Sequence, residues 1–103
     1  MTKSQQTESF NKLTPAEAER LALLMEEMGE AIQAAGKILR HGYESSHPDY
    51  NKAMNNRHDL ARELGHVLFA LDLITRERDL DAYAITTSRT EKASTIAQYL
   101  HHQ

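Results

Sequence analysis

Two stretches of this chain repeat apolar residues every three or four positions, and that spacing limits the fold more than any other feature. In the first, Leu21, Leu24, Met25, Met28, Ile32, Ala35 and Leu39 recur at helical intervals. In the second, Leu60, Leu64, Val67, Leu68, Leu71 and Ile74 do the same. No segment alternates with the two-residue period of a half-buried strand. Only four Gly and two Pro interrupt 103 residues, so little breaks the helices. The expected class is all-α: an antiparallel helical bundle of one domain over residues 14–103, preceded by a flexible polar arm, residues 1–13.

Local signals set the helix ends. Thr14-Pro15-Ala16-Glu17 reads as a capping box with Pro at the first helical position. Gly42 follows the last periodic residue and predicts the stop. Residues 43–56 form the connection, with turn chemistry at Glu44 to Asp49 and a short helical turn after Pro48. Asn55 or Asn56 caps the next helix, which has Asp59 in its first turn. That helix ends in the charged run Thr75-Arg76-Glu77-Arg78. A last helix starts at Asp79 or Asp81 and reaches about His101. Its β-branched middle, Ile85 to Thr90, predicts a break.

Composition excludes several functions. Twelve Lys+Arg against fifteen Asp+Glu give a net charge of -3, which offers no electrostatic footprint for nucleic acid or anionic membrane. The absence of Cys removes disulfides, thiolate nucleophiles and cysteine zinc sites. The first ten residues lack an apolar signal core, and the apolar run from Leu64 to Ile74 is too short to span a bilayer. A cytoplasmic domain is expected. A chain of this length buries only about two thirds of its unfolded surface, so a partner subunit would complete its core.

Acids cluster on both helices. Glu26, Glu27 and Glu30 fall within an arc of about 100°. Asp59, Glu63 and His66 form one stripe on the second helix, whereas Asp72 lies half a turn away. A Glu-Glu pair is ordinarily a solvated face, and a lone His on such a helix is ordinarily no ligand. Two helices that pack antiparallel with acids at i,i+3 nevertheless build an oxygen-rich cage, which hard cations such as Mg²⁺ and Mn²⁺ prefer.

Two segments together resemble a known family. Leu24-Met25-Glu26-Glu27-Met28-Gly29-Glu30-Ala31 is similar to the E-E-x-x-E helix of the MazG-like, all-α nucleoside triphosphate pyrophosphohydrolases. Arg62-Glu63-Leu64-Gly65-His66-Val67-Leu68-Phe69-Ala70 is similar to its partner E-x-x-D helix. The resemblance covers about residues 14–78. It implies hydrolysis of a nucleotide to a monophosphate and pyrophosphate, with Mg²⁺ or Mn²⁺ as cofactor and a homodimer or dimer of dimers as assembly. Carried over by position, the metal ligands are Glu27, Glu30, Glu63 and His66. Glu26 or Glu27 is the catalytic base, and the sequence does not separate these roles. Arg89 and Lys92, with Asn56, are candidates to bind substrate. Tyr43, His47 and Asn55 are positional candidates for base or ribose contact, and His101-His102 reads as a polar tail.

His66 stands where the motif has Asp. Imidazole removes one negative charge and favours ions softer than Mg²⁺. The site then works with Mn²⁺ or another transition metal, or Asp59 supplies the missing carboxylate, or catalysis is lost and the fold serves assembly. A further alternative is a ferritin-like di-iron bundle, since Glu63 and His66, like Glu44 and His47, have the E-x-x-H spacing.

Overall fold

The computed structural model describes residues 10–46 and 54–103. Three α-helices follow in order: α1 Pro15–His41, α2 Asn56–Arg76 and α3 Ala82–Thr95, with a 3₁₀ turn at Ile96–Tyr99. No strand occurs among the described residues. The all-α expectation is met. Of the polar arm, residues 1–9 lie outside the described residues, as does the turn expected after Pro48.

The capping box is present. The Thr14 hydroxyl accepts from Glu17 N–H at 3.1 Å, and Thr14 N–H donates to the Glu17 carboxylate at 2.8 Å. The other end of α1 stops at Gly42, whose φ of 88° is a region that a side chain would disfavour. Asn55 caps α2 by accepting from His58 N–H. Asn56 is buried, and its amide donates to Gly42 O at 3.1 Å. Backbone bonds from Asn56 N–H to Ser45 O and from Arg57 N–H to Tyr43 O complete this corner. They tie the segment that follows α1, Gly42 to Ser45, to the first turn of α2.

The opposite end of the hairpin is closed by a motif that the sequence did not announce. Arg78 adopts φ 64°, its N–H donates to Thr75 O, and Asp79 N–H donates to Ile74 O. This is a Schellman closure, with Arg where Gly is usual. It places Asp79 against Arg20 on α1. Two bonds join them, Nε to Oδ2 and Nη2 to Oδ1, the latter 2.9 Å long. The antiparallel pair α1–α2 is therefore pinned at both ends.

Between the pins lies a narrow core. Among the described residues, Ala34, Ala70 and Ile74 are its buried apolar members. A core this small leaves much apolar surface outside it. On α1 the exposed residues Leu21, Met25, Met28, Ile32 and Leu39 run along one stripe, and on α2 the exposed Leu64 and Leu68 form another. Each stripe is turned from its helix's interface positions by about one residue, or 100°. Antiparallel packing reverses the sense of that rotation, so both stripes fall on the same side of the hairpin. The radius of gyration, 18.3 Å, exceeds the roughly 13 Å of a compact chain of 100 residues.

α3 departs from expectation twice. It runs unbroken through Ile85 to Thr90, with the Thr86 and Thr90 hydroxyls donating to the carbonyls of Ala82 and Thr86 one turn earlier, both at 3.1 Å. The helix changes to a 3₁₀ turn only after Thr95. It also has no buried residue, and tertiary packing is concentrated between α1 and α2 rather than along α3.

Candidate metal centre

Glu27 and Glu30 project from α1, and Glu63 and His66 from α2, on the side of the hairpin opposite the apolar stripes. The i,i+3 spacing on each helix and the antiparallel pairing bring the four together. One ligand atom from each residue lies within 4.8 Å of the others. The side chains of Glu27 and Glu63 are 16% and 12% exposed, while that of His66 is 51% exposed. The cluster thus has an acidic floor and an imidazole at its rim.

Its hydrogen bonding is incomplete. Glu27 Oε2 and Glu63 Oε2 are buried and accept no hydrogen bond. His66 Nδ1 lies 3.3 Å from the first and 3.6 Å from the second, contacts that are ion pairs only when the ring is protonated. A buried carboxylate oxygen without a donor is costly. A divalent cation would satisfy both oxygens at once, so the donor set fits such an ion: three carboxylates and one imidazole.

The charges are arranged accordingly. Glu30's carboxyl is pushed up, first by the hydrogen bond it shares with Glu63 and next by that residue's charge, with burial, Glu27 and Glu26 adding. Burial pushes Glu63 up too, but the bond with Glu30, the neighbouring Arg62 and His66 outweigh it and leave it lowered. The two acids therefore shift each other's protonation in opposite directions across the interface. Arg62 Nη2 approaches Glu63 Oε1 at 3.3 Å and Asp59 Oδ1 at 3.7 Å.

The remaining candidates fall elsewhere. Glu26 is exposed beside the cluster, and its charge contributes to the rise at Glu30. Asp59 is one turn from Glu63, outside the four-residue set, and lines the adjoining cleft. Asn56 lines that cleft as well, with its amide committed to Gly42 O. Arg89 and Lys92 are exposed on α3 and do not line it. Tyr43 lies under the Arg57 guanidinium, 4.2 Å from ring centroid to carbon. Glu44 is bonded to Arg57 and Asn55 and is not in the cluster, and His47 lies outside the described residues. His101 and His102 are exposed, and Asp72 is exposed away from the acids.

Three polar residues in the cleft were not singled out from sequence: Gln33, Lys37 and Arg62. Lys37 follows Glu30 by two helical turns, and this was the legible signal. No described helix is long and apolar enough to cross a membrane. No protein-family model, curated protein or solved structure matches the chain.

Proposed function

We propose that the chain is a metal-dependent nucleotide pyrophosphohydrolase that splits a nucleoside triphosphate or related nucleotide into a monophosphate and pyrophosphate. One observation carries the reading. The two segments that resemble the E-E-x-x-E and E-x-x-D helices fold against each other, and four of their polar side chains meet with two buried oxygens unpartnered. Mg²⁺ or Mn²⁺, when bound, supplies charge neutralisation and a more acidic water. Glu27, Glu30, Glu63 and His66 hold it, and Glu26 or Glu27 accepts the proton of the attacking water. A bond forms from that water's oxygen to the α-phosphorus, and the bond from the α-phosphorus to the α–β bridging oxygen breaks.

The test is a panel of canonical and modified nucleotides incubated with Mg²⁺ or Mn²⁺. The reading expects pyrophosphate and a monophosphate in equal amounts from at least one of them, and loss of both in Glu63→Gln. Orthophosphate as the first product, or no turnover with any pair, would reject it.

The partner proposed is a second copy of the chain. Met25, Ile32 and Leu68 are 69%, 72% and 60% exposed, and helical spacing sets them on one side of the hairpin. Gly29 and Gly65 adjoin that face inside their helices, where each costs about 1 kcal/mol relative to Ala. A methyl group added at either meets nothing within 4 Å, so no packing among the described residues requires glycine there. Close approach of another helix would. A homodimer, or a dimer of dimers, covers this face and leaves the acids on the opposite side open.

A further inference from the structure

An acidic cluster attracts a cation and repels a polyphosphate, so a site that takes both needs cations of its own beyond the metal. The cleft next to the cluster contains them. Glu30, Gln33 and Lys37 line it from α1, and Asp59, Arg62 and Glu63 from α2. Lys37 and Arg62 are its two basic residues. Both are exposed, so their charged ends reach solvent across the acids beneath.

Arg62 is held loosely. It donates to Glu63 at 3.3 Å and only approaches Asp59 at 3.7 Å, both long for charged pairs. Its side chain is 47% exposed, and a guanidinium has five N–H donors. A divalent ion on Glu63 would replace the charge that Arg62 now supplies. The planar fork is then free to turn outward, and it matches phosphate oxygens better than a lysine would. Lys37, two turns along α1 from Glu30, adds a point charge on the opposite wall.

We propose that Lys37 and Arg62 bind the phosphates of the nucleotide that the metal does not cover, with Arg62 passing from Glu63 to phosphate as the metal enters. The inference rests on the metal-centre reading above. It assigns the phosphate contacts to the α1–α2 cleft instead of to Arg89 and Lys92 on α3.

The test uses the full chain, Mn²⁺ and inorganic pyrophosphate as probe. Mn²⁺ affinity is measured first by electron paramagnetic resonance, and pyrophosphate affinity of the Mn²⁺-loaded protein second by calorimetry. Lys37→Gln and Arg62→Gln should each weaken pyrophosphate about tenfold. Arg62→Gln should leave Mn²⁺ affinity intact or raise it, because Glu63 loses a competing cation. Arg76→Gln removes an equal charge from an exposed site in the last turn of α2 and should change neither by more than about twofold. Pyrophosphate binding that is unaffected by Lys37→Gln and Arg62→Gln, in protein that binds Mn²⁺, overturns this inference and leaves the metal centre standing. So does an equal loss in Arg76→Gln. Wild-type protein that binds no Mn²⁺ overturns both.

Discussion

His66 Nδ1 on α2 lies 3.3 Å from Glu27 Oε2 on α1, so the residue that departs from the E-x-x-D pattern faces an acid of the E-E-x-x-E pattern. Substituting His66→Asp restores a carboxylate at the rim of the cluster. Mg²⁺ affinity should rise by about tenfold, since hard cations prefer oxygen to imidazole nitrogen. Wild type should favour Mn²⁺ over Mg²⁺ by more than the variant does. Competition between the two ions, followed by the Mn²⁺ resonance signal, measures this. Identical preferences in both proteins would show that His66 is not a ligand.

The ion pair at the far end of the hairpin predicts a pH dependence. Arg20, through its hydrogen bonds and then its charge, holds the Asp79 carboxyl below its ordinary value, although burial opposes this. A depressed carboxylate stabilises the fold above its unfolded pKa and loses that contribution as pH falls through the folded one. Wild type should therefore be more stable than Asp79→Asn at neutral pH. The gap should shrink only below about pH 4, where an unfolded Asp begins to protonate. Urea unfolding at a series of pH values reads it, and a gap that stays constant down to pH 2 would contradict the assignment.

The glycines on the apolar face give a prediction in which two accounts have opposite signs. In a chain that works alone, Gly29→Ala and Gly65→Ala each add about 1 kcal/mol of helix stability and nothing else. In a closely packed dimer, the added methyl groups meet the partner and weaken association. Sedimentation equilibrium should show wild type as a dimer or tetramer at micromolar concentration, with dissociation shifted upward in both variants. A monomeric wild type would rule out the proposed interface.

Ile74 tests the narrow core. It is the largest fully buried side chain among the described residues. Ile74→Ala should cost about 2–5 kcal/mol. Thr14→Ala, which removes half of the capping box, should cost about 1 kcal/mol. Chemical denaturation separates the two, and an equal effect would place the core elsewhere.

Much of this architecture was legible in the residues. Three-and-four spacing located α1 and α2, Thr14 and Asn55 marked their starts, and Gly42 marked a stop, because each signal acts within one helical turn. Glu27, Glu30, Glu63 and His66 were legible as a set only once two helices were assumed to pair. The failures have physical reasons. β-Branched residues at Ile85 to Thr90 predicted a break that the Thr86 and Thr90 hydroxyls do not cause. Arg78 in a left-handed conformation gave no warning, because Gly usually fills that place. Asp79 appeared as a helix start; its pairing with Arg20 spans 59 positions and depends on the closure at Arg78. Lys37 and Arg62 looked like ordinary surface charges until the helices placed them in one cleft.

The central claim is that the α1–α2 acids form a divalent-metal centre, and a Mn²⁺ titration tests it most directly. Electron paramagnetic resonance counts free ion as Mn²⁺ is added to the full chain near neutral pH. Wild type should bind Mn²⁺ with saturation at a fixed ratio per chain, and Glu27→Gln and Glu63→Gln, which stay helical by circular dichroism, should lose that binding. Free Mn²⁺ that rises in wild type as it does in buffer, or that is unchanged by both substitutions, would contradict the claim.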